Sequence, residues 1–351
     1  FSSGSGGGIG HQGLSEGGLI ADNVIIFNQT FVQTPCTGSS GGGISIAGSP
    51  PAVAGELTEG AGSVRIERNL FQGNQSGVGD GGAIMLKQVN GADVAASRNN
   101  PNRWYKIDVV NNMIANNMAA DAGGGIALQD AARVDILHNT IAHNDSTATE
   151  GDLIDPTTST SMPQPAGVVS RAHSLELAAA FGNANRVQQY KVFSNPRMVN
   201  NIVWQNRSFS WGLDVDGNGV LVDEFPPYTA DLAVIPDTAG ALTCGSCIVS
   251  QNGDAAPSFA ASYFNGAGGQ GVIPENSTPL TSAAVDEGGN FIDVRFAPLT
   301  LWDPTTGALV GDYHITAAQT GQDILAEVPV DFDAEARPQG AGPDIGADEI
   351  P

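Results

Sequence analysis

The clearest candidate for chemistry in this sequence is an acidic loop that resembles a calcium-binding loop. Asp214, Asp216 and Asn218 stand at alternate positions, and Gly219 follows directly. Oxygen ligands at loop positions one, three and five, with a turn-forming glycine at position six, are what a calcium ion requires. The predicted ligand set is Asp214, Asp216, Asn218, the backbone carbonyl of Val220, Asp223 and Glu224.

The end of this loop departs from the calcium-binding pattern. Position twelve, which supplies a bidentate Glu in an EF-hand, is Phe225, and the acidic residues Asp223 and Glu224 precede it. Flanking helices are not evident. An exposed turn of Asp, Asn and Gly without an ion is therefore the alternative interpretation. Calcium is the one cofactor that the sequence suggests.

A second candidate is the pair Cys244 and Cys247, which is separated by Gly245 and Ser246. Small residues between two thiols suit a tight disulfide loop, and we expect Cys244 and Cys247 to be bonded to each other. A redox pair and two reduced thiols are the alternatives, because no second Cys pair exists to complete a zinc site. Cys36 would be left over, which predicts burial or pairing with another chain.

Carboxylates for acid and base chemistry are sparse. Asp80 and Asp121 each stand just before a Gly-rich run, and they would stack if the runs repeat in the structure. The basic residues nearest to them in the pattern are Lys87, Arg133, His138 and His143. Paired carboxylates with a base would suit cleavage of a polysaccharide. The simpler interpretation of Asp80 and Asp121 is that they cap the backbone of a turn. Pectin-degrading signatures, such as Asn-Thr-Asp on a strand, are absent.

The element that must position these residues is a repeat built on pairs of asparagines five residues apart. Five segments carry it, with mostly apolar residues between the two asparagines. The pairs are Asn23 and Asn28, Asn69 and Asn74, Asn112 and Asn117, Asn139 and Asn144, and Asn201 and Asn206. A repeated unit of this kind buries its apolar face by stacking on its neighbours. Asn tolerates the left-handed backbone conformation that a tight corner needs, so we expect these asparagines to form the corners. Stacked Asn side chains can also hydrogen-bond along a ladder, and we interpret all ten as structural.

Short apolar alternations precede the asparagine pairs, and runs of the type Gly-Gly-Gly-Ile recur as well, for example at 41–44 and 123–126. The alternations predict strands, and the glycines predict sharp turns. The closest repeats, Asn112 and Asn139, are 27 residues apart, which is enough for three short strands and three turns. The predicted fold is an all-β, right-handed parallel β-helix with long inserted loops.

The longer spacings between repeats predict insertions at about 47–61, 87–103 and 145–195. Insertions in such a solenoid map to fixed corners and often form its binding face. The sequence divides into β-helix coils over residues 1–224, an irregular excursion over 225–330 that packs on the solenoid, and a closing segment over 331–351. The segment 174–181 is the one helix candidate.

These features resemble the bacterial right-handed β-helix repeat proteins of the cell surface. The C-terminal residues Asp333, Arg337 and Pro338, followed by the run Asp344-Ile345-Gly346-Ala347-Asp348-Glu349, resemble the closing motif of the choice-of-anchor Q group. The resemblance covers about residues 1–210 and 331–351, and residues 225–330 match poorly. It implies an exported, surface-associated β-helix, secreted or held at the bacterial cell surface.

Composition limits the partners. The 351 residues carry a net charge of −23, which argues against nucleic acid and against anionic membrane surfaces, because both attract basic proteins. No run of 18 apolar residues predicts a membrane span. The sequence opens at Phe1 inside a Gly-rich turn, as expected for a piece of a longer precursor. An open solenoid end exposes strand edges, so we expect assembly with copies of itself or with other surface proteins.

Two functions follow from the sequence. The favoured one is a non-catalytic extracellular surface or structural β-helix, serving as an adhesin, a scaffold or a filament subunit, that self-assembles or is capped by a partner. The alternative is a carbohydrate-active β-helix enzyme, a lyase or a hydrolase, that acts on an extracellular polysaccharide. The missing carboxylate cluster favours the first, since a fold alone does not assign an activity.

Overall fold

The computed structural model describes residues 2, 4–30, 39–213, 215, 217, 219–223, 231–263, 302–303 and 308–351. Short strands and long connections follow one another in repeated coils. The first three coils contain Ile9–Gln12 (β1), Ser15–Ala21 (β2), Val24–Ile26 (β3), Gln29–Thr30 (β4), Ile44–Ala47 (β5), Gly62–Glu67 (β6), Leu70–Gln72 (β7), Gln75–Ser76 (β8), Ile84–Lys87 (β9), the helix Ala92–Ala96 (α1), the 3₁₀ turn Pro101–Arg103, Ile107–Val110 (β10), Met113–Ala115 (β11) and Met118–Ala119 (β12).

The next two coils follow the same order. They contain Ile126–Gln129 (β13), Val134–Leu137 (β14), Thr140–Ala142 (β15), Asp145–Ser146 (β16), the 3₁₀ turn Gly151–Leu153, the hairpin Ile154–Asp155 (β17) and Thr160–Ser161 (β18), Val168–Arg171 (β19), the helix Leu175–Phe181 (α2), the 3₁₀ turn Gln188–Tyr190, Arg197–Val199 (β20), Ile202–Trp204 (β21) and Arg207–Leu213 (β22). Helix α2 lies where the sequence predicts one, and its N-cap Ser174 accepts a hydrogen bond from the amide of Leu177.

The remaining described elements complete the solenoid and cover one side of it. They are Gly219–Asp223 (β23), Leu232–Ile235 (β24), the 3₁₀ turn Asp237–Ala239, Cys244–Gly245 (β25), Ile248–Val249 (β26), the 3₁₀ turn Ser250–Asn252, Phe259–Ala261 (β27), Trp302–Asp303 (β28), Ala308–Leu309 (β29) and Asp312–Ile315 (β30). Strands β24 to β26 form a sixth coil, inside the range for which the sequence predicts an irregular excursion. Among the described residues, no helix is long and apolar enough to cross a membrane.

Parallel strands of successive coils stack in register into four sheets, which confirms the predicted parallel β-helix. Sheet 1 runs β1-β5-β9-β13-β19-β24, sheet 2 runs β2-β6-β10-β14-β20-β25, sheet 3 runs β3-β7-β11-β15-β21-β26, and sheet 4 runs β4-β8-β12-β16-β22. Strand β23 pairs with β22 in antiparallel fashion. The sequence predicts three strands in each coil, and the structure has a fourth because two residues after the second Asn of each pair also join a ladder.

The core is a column of aliphatic side chains from the inner faces of the sheets. In sheet 1, Ile44 aligns with Ile84, Ile84 with Ile126, and Ile126 with Val168. All four side chains are fully buried. Because each coil is too narrow to enclose a core alone, the apolar surface is removed from water mainly by stacking on the coils above and below.

The ten paired asparagines form two ladders along the solenoid. In the first four of the five coils that carry these pairs, each Nδ2 donates to the Oδ1 of the matching Asn in the next coil, at 2.9–3.1 Å. The same Oδ1 also accepts from the backbone amide of the preceding coil's Asn, for example that of Asn112 onto Asn139 at 2.9 Å. The first ladder is Asn23, Asn69, Asn112, Asn139 and Asn201, and the second is Asn28, Asn74, Asn117, Asn144 and Asn206.

The left-handed backbone of each corner lies one residue before the ladder asparagine. Asn111 and Asn116 have φ of 53° and 56°, and His138 and His143 have φ of 52° and 56°. The sequence interpretation gave this conformation to the ladder asparagines themselves. This difference of one residue has a physical reason. The ladder side chain must point inward along the solenoid axis, while the left-handed residue turns the chain and points its own side chain outward.

Two side chains that the repeat pattern does not mark terminate the ladders. Asp231 Oδ1 accepts from Asn206 Nδ2 at 2.9 Å, and so replaces the next Asn of the second ladder. At the end of the first ladder, the backbone amide of Asn201 donates to Cys247 Sγ at 3.2 Å. Cys247 is disulfide-bonded to Cys244, whereas Cys36 lies outside the described residues. Burial raises the pKa of Asp231 to about 6, against the hydrogen bonds that lower it.

Residues 308–351, called the strap below, cover the outer face of sheet 3, and the part around Ile324 and Val328 packs on sheet 2. Tyr313, Ile315, Ile345 and Ala347 pack against outward side chains of sheet 3, which are Met113, Ala115, Ala142, Ile202 and Trp204. Left-handed corner residues hold the strap by hydrogen bonds, such as Asn111 Nδ2 to the carbonyl of Val330 at 2.6 Å and Asn200 Nδ2 to the carbonyl of Gln322 at 2.7 Å. The predicted closing segment 331–351 thus runs along the side of the solenoid.

Substitution of a mid-ladder residue, Asn117→Ala, should lower the free energy of unfolding by roughly 3–5 kcal/mol. It removes the acceptor of both the Nδ2 and the backbone amide of Asn74, and it leaves the Oδ1 of Asn144 with only the backbone amide of residue 117 as a donor. Each lost partner of a buried group costs about 1–3 kcal/mol. Urea unfolding measures the change. The matched control is Asn185→Ala at an exposed position, which should change stability by at most about 0.5 kcal/mol. Equal effects of the two variants would contradict the ladder's role.

Candidate functional site

The structure brings Asp80 and Asp121 together at the glycine turns that precede sheet 1. Each Asp lies just before a turn whose first glycine is left-handed, with φ of 73° at Gly81 and 68° at Gly123. These turns stack closely, because a Cβ at Gly82 would lie 2.3 Å from the carbonyl oxygen of Gly124. The glycines thereby fix the two aspartates one above the other, as the sequence predicts.

Arg171, at the end of β19, joins the two aspartates. Its Nε donates to Asp80 Oδ2 at 2.6 Å and its Nη2 to Asp80 Oδ1 at 2.7 Å. The same Nη2 also donates to Asp121 Oδ2. Asp80 Oδ1 accepts a further hydrogen bond, from the amide of Ala122 at 3.1 Å. One guanidinium therefore ties together turns that belong to successive coils.

Glu150 completes a cluster with three carboxyl groups and one guanidinium, which we call the carboxylate cluster: Asp80, Asp121, Glu150 and Arg171. Burial raises the pKa of Asp121 to about 8, and the negative charges of Asp80 and Glu150 add to the shift while Arg171 opposes it. Burial also raises the pKa of Glu150. Like charges this close in a buried site do not all ionise, so the cluster holds a proton on Asp121 at neutral pH.

Chemically, the carboxylate cluster combines a proton donor with an ionised carboxylate. That pairing is what general acid and base catalysis requires. However, Asp80 and Asp121 are only 7% and 9% exposed, and both are engaged by Arg171. As described, the geometry serves to cross-link turns, and a substrate would have to displace Arg171 to reach either carboxyl group.

The basic residues predicted near Asp80 and Asp121 are dispersed. Lys87 ends β9 and aligns with Gln129 on the neighbouring strand of sheet 1. The Nη1 of Arg133 donates to the carbonyl oxygen of Trp104 at 3.4 Å.

His138 and His143 instead contact other parts of the chain. His138 Nε2 lies 3.0 Å from Asn200 Nδ2, and His143 Nδ1 lies 2.9 Å from the hydroxyl of Tyr313 in the strap. Burial lowers the pKa of His138 to about 3 and that of His143 to about 4. Both imidazoles are therefore neutral and structural in this setting.

Most of the predicted calcium ligands, namely Asp214, Asp216, Asn218 and Glu224, lie outside the described residues. The described neighbours are Val215 and Gly217, and strand β23 contains Val220 and Asp223. In the β22–β23 hairpin Gly219 pairs with Leu213, while Asp223 pairs with Phe209. These pairings define the backbone of the hairpin, and the calcium site stays a prediction.

Sequence reasoning missed Arg171 and Glu150, because both belong to the long insertion that it predicts over 145–195. The structure divides this range into two insertions, with β19 between them. The signal for β19 is weak, since Ala166 stands where other coils have a second glycine before Gly167 and Val168. Val168, Val169 and Ser170 are all buried, and the two adjacent β-branched valines are the signal that could have marked this strand, with Arg171 at its end.

Comparisons of the whole chain with models of protein families, with curated proteins and with solved structures gave no match. The function must therefore be argued from the arrangement of side chains.

Replacing Asp121 by Asn should change how stability depends on pH. Asp121 has a pKa of about 8 in the folded chain and an ordinary value of 3.8. Between these values the folded state keeps a proton that the unfolded state has released, so the free energy of unfolding falls as pH rises from about 4 to about 8. The Asp121→Asn variant has no such titration. Its free energy of unfolding should therefore rise relative to that of the wild type between about pH 4 and about pH 8. Above about pH 8 the difference should stay constant.

Urea unfolding at about pH 5, 7 and 9 measures the effect, because the difference between variant and wild type removes the contributions of other groups. The matched control is Asp323→Asn, at an exposed position of the strap. Parallel stability curves for Asp121→Asn and the wild type would show that Asp121 is ionised at neutral pH.

Proposed function

We propose that this chain is a non-catalytic extracellular structural β-helix, a rigid module of a surface adhesin, scaffold or filament. The observation that carries the proposal is the use of polar side chains. Both asparagine ladders run through five coils without interruption. The coils are thereby joined by side chains as well as by strands, which favours a stiff rod over a mobile binding cleft.

The buried charges support the same proposal, because they are paired internally. Arg207 donates to both oxygens of Asp145, at 2.8 and 2.6 Å, between adjacent strands of sheet 4. Arg337 in the strap is paired with Glu349 at 2.7 Å, with both side chains fully buried. Breaking such a pair leaves an uncompensated charge and typically costs about 3–5 kcal/mol. These groups consequently favour one fixed arrangement of coils and strap.

Charge and cysteine chemistry favour an extracellular location. The net charge of −23 disfavours nucleic acid and anionic membranes as partners. Disulfides such as that between Cys244 and Cys247 persist in oxidising compartments. Together with the resemblance of residues 331–351 to a surface-anchored group, these features support export to the cell surface. The partners we propose are copies of the chain or other surface proteins, with calcium bound at 214–224 as a local stiffener.

One specific observation favours the alternative of a carbohydrate-active enzyme. The carboxylate cluster lies beside sheet 1, and a cavity of about 540 Å³ opens over the outer face of the same sheet, lined by residues that include His11, Gln12 and Lys87. Lys87 and Arg171 end strands of this sheet that are two positions apart, which separates their backbones by roughly 10 Å. A polysaccharide lying across these strands would meet a cation and a protonated carboxyl group.

The two functions are separated by one comparison of the purified full chain with its Asp121→Asn variant. Sedimentation velocity over a range of concentrations should show association of both proteins. Incubation with acidic and neutral polysaccharides should release neither reducing ends nor unsaturated uronic acids. Product release by the wild type that the variant lacks would establish the enzyme instead. A chain that stays monomeric at every concentration would remove self-assembly from the proposal.

A further inference from the structure

The strap carries a cluster of potential metal ligands on the side that faces away from the solenoid. In strand β30, Tyr313 and Ile315 are buried against sheet 3. Since strand side chains alternate, Asp312 and His314 point the other way. Two later parts of the strap bring Asp333 and Asp348 to His314. One ligand atom from each of His314, Asp333 and Asp348 lies within 4.8 Å of the other two.

The distances suit a common ion. His314 Nε2 lies 3.0 Å from Asp333 Oδ2. Two ligand atoms bound about 2.0–2.1 Å from one zinc ion are separated by about 2.9–3.4 Å, for octahedral and tetrahedral angles respectively. Asp348 is nearly buried, at 5% exposure, and its Oδ2 is fixed by the amide of Ile315 at 2.8 Å. Two ligands are therefore already at bonding separation, and the third is held by the backbone.

The two ring nitrogens of His314 face different carboxylates. Its Nδ1 lies 2.5 Å from Asp312 Oδ1, and its Nε2 faces Asp333. Asp312 thereby holds the ring with Nε2 directed at Asp333. A carboxylate on the far nitrogen of a histidine is the usual way in which proteins orient a metal ligand.

The balance of charge points the same way. Three carboxylates, from Asp312, Asp333 and Asp348, surround a single imidazole. In the part of the chain that the structure describes, His314 is the only ion-pair partner of Asp312 and of Asp333. The ring is further fixed by an edge-to-face contact with Phe332, at 5.8 Å between centroids. The cluster is thus ordered around a site with unbalanced negative charge.

We propose that His314, Asp333 and Asp348 bind a first-row divalent metal ion, with Zn²⁺ as the best fit, and that Asp312 orients the histidine. The nitrogen ligand sets this site apart from calcium and magnesium sites, which use oxygen ligands. Three protein ligands leave a fourth position for water. The ion would join strand β30 to two later segments of the strap and so lock the strap against sheet 3.

Calorimetric titration of the full chain, stripped of metal with a chelator, tests this directly. Zn²⁺ should bind with one tight site per chain and raise the melting temperature, because it binds only the folded arrangement. His314→Ala should abolish the tight site, and Asp312→Asn should weaken it about 10- to 100-fold, as expected for an orienting residue. Ca²⁺ should not compete for it, whatever it does at residues 214–224.

The matched control for adventitious binding to an acidic surface is Asp323→Asn, an exposed Asp of the strap outside the cluster, which should bind Zn²⁺ as the wild type does. Asp333→Asn provides a second loss-of-site variant if His314→Ala fails to fold. The absorption spectrum of the Co²⁺-loaded wild type should show a mixed nitrogen and oxygen environment that His314→Ala lacks. Tight Zn²⁺ binding that survives both substitutions, or no tight binding by the wild type, would overturn the proposal.

Discussion

The hydrogen bond between asparagine side chains of successive coils is the interaction on which the rest of the structure depends. A buried amide has two donors and one acceptor group that must all be satisfied. In a ladder residue such as Asn112, the Nδ2 donates to Asn139 and to backbone carbonyls, including that of Ile66, while the Oδ1 accepts from Asn69. These bonds form only if coils are stacked at strand spacing and in register. The ladder therefore specifies register in a solenoid whose aliphatic column alone would tolerate slippage.

Corner geometry then determines what can attach to the outside. The left-handed residue before each ladder Asn directs its side chain outward, and Asn111, Asn116 and Asn200 each hold the strap by a hydrogen bond. Insertions are concentrated between sheets 1 and 2. There α2 packs on α1. Phe181 of α2 also contacts Trp104, which lies outside α1, at 5.6 Å between ring centroids. The solenoid thus carries two additions on different sides, an inserted helical layer and a strap with its candidate metal site.

The sequence predicts those parts of the fold in which the same residue types recur from coil to coil. It does not predict features that occur only once in the chain. The Asn pairs recur in five coils, and the Gly runs recur before strands of sheet 1, so together they mark the coils and place Asp80 above Asp121. The ladder ends need only one acceptor, which Asp231 and Cys247 supply, and the sixth coil consequently carries no asparagine pair. The cluster around His314 joins positions 312, 333 and 348, which have no periodic relation. Its formation depends on how the strap lies, and no local pattern encodes that.

Native-state hydrogen exchange can show whether the ladders couple the coils into a single cooperative unit. The backbone amides of Asn69, Asn112 and Asn139 each donate to a ladder Oδ1 of the next coil. If the ladders couple the coils, these amides exchange together, with one free energy that equals that of global unfolding. Separate exchange free energies that decrease coil by coil toward one end would contradict this coupling, since they would show that coils open independently of the ladder.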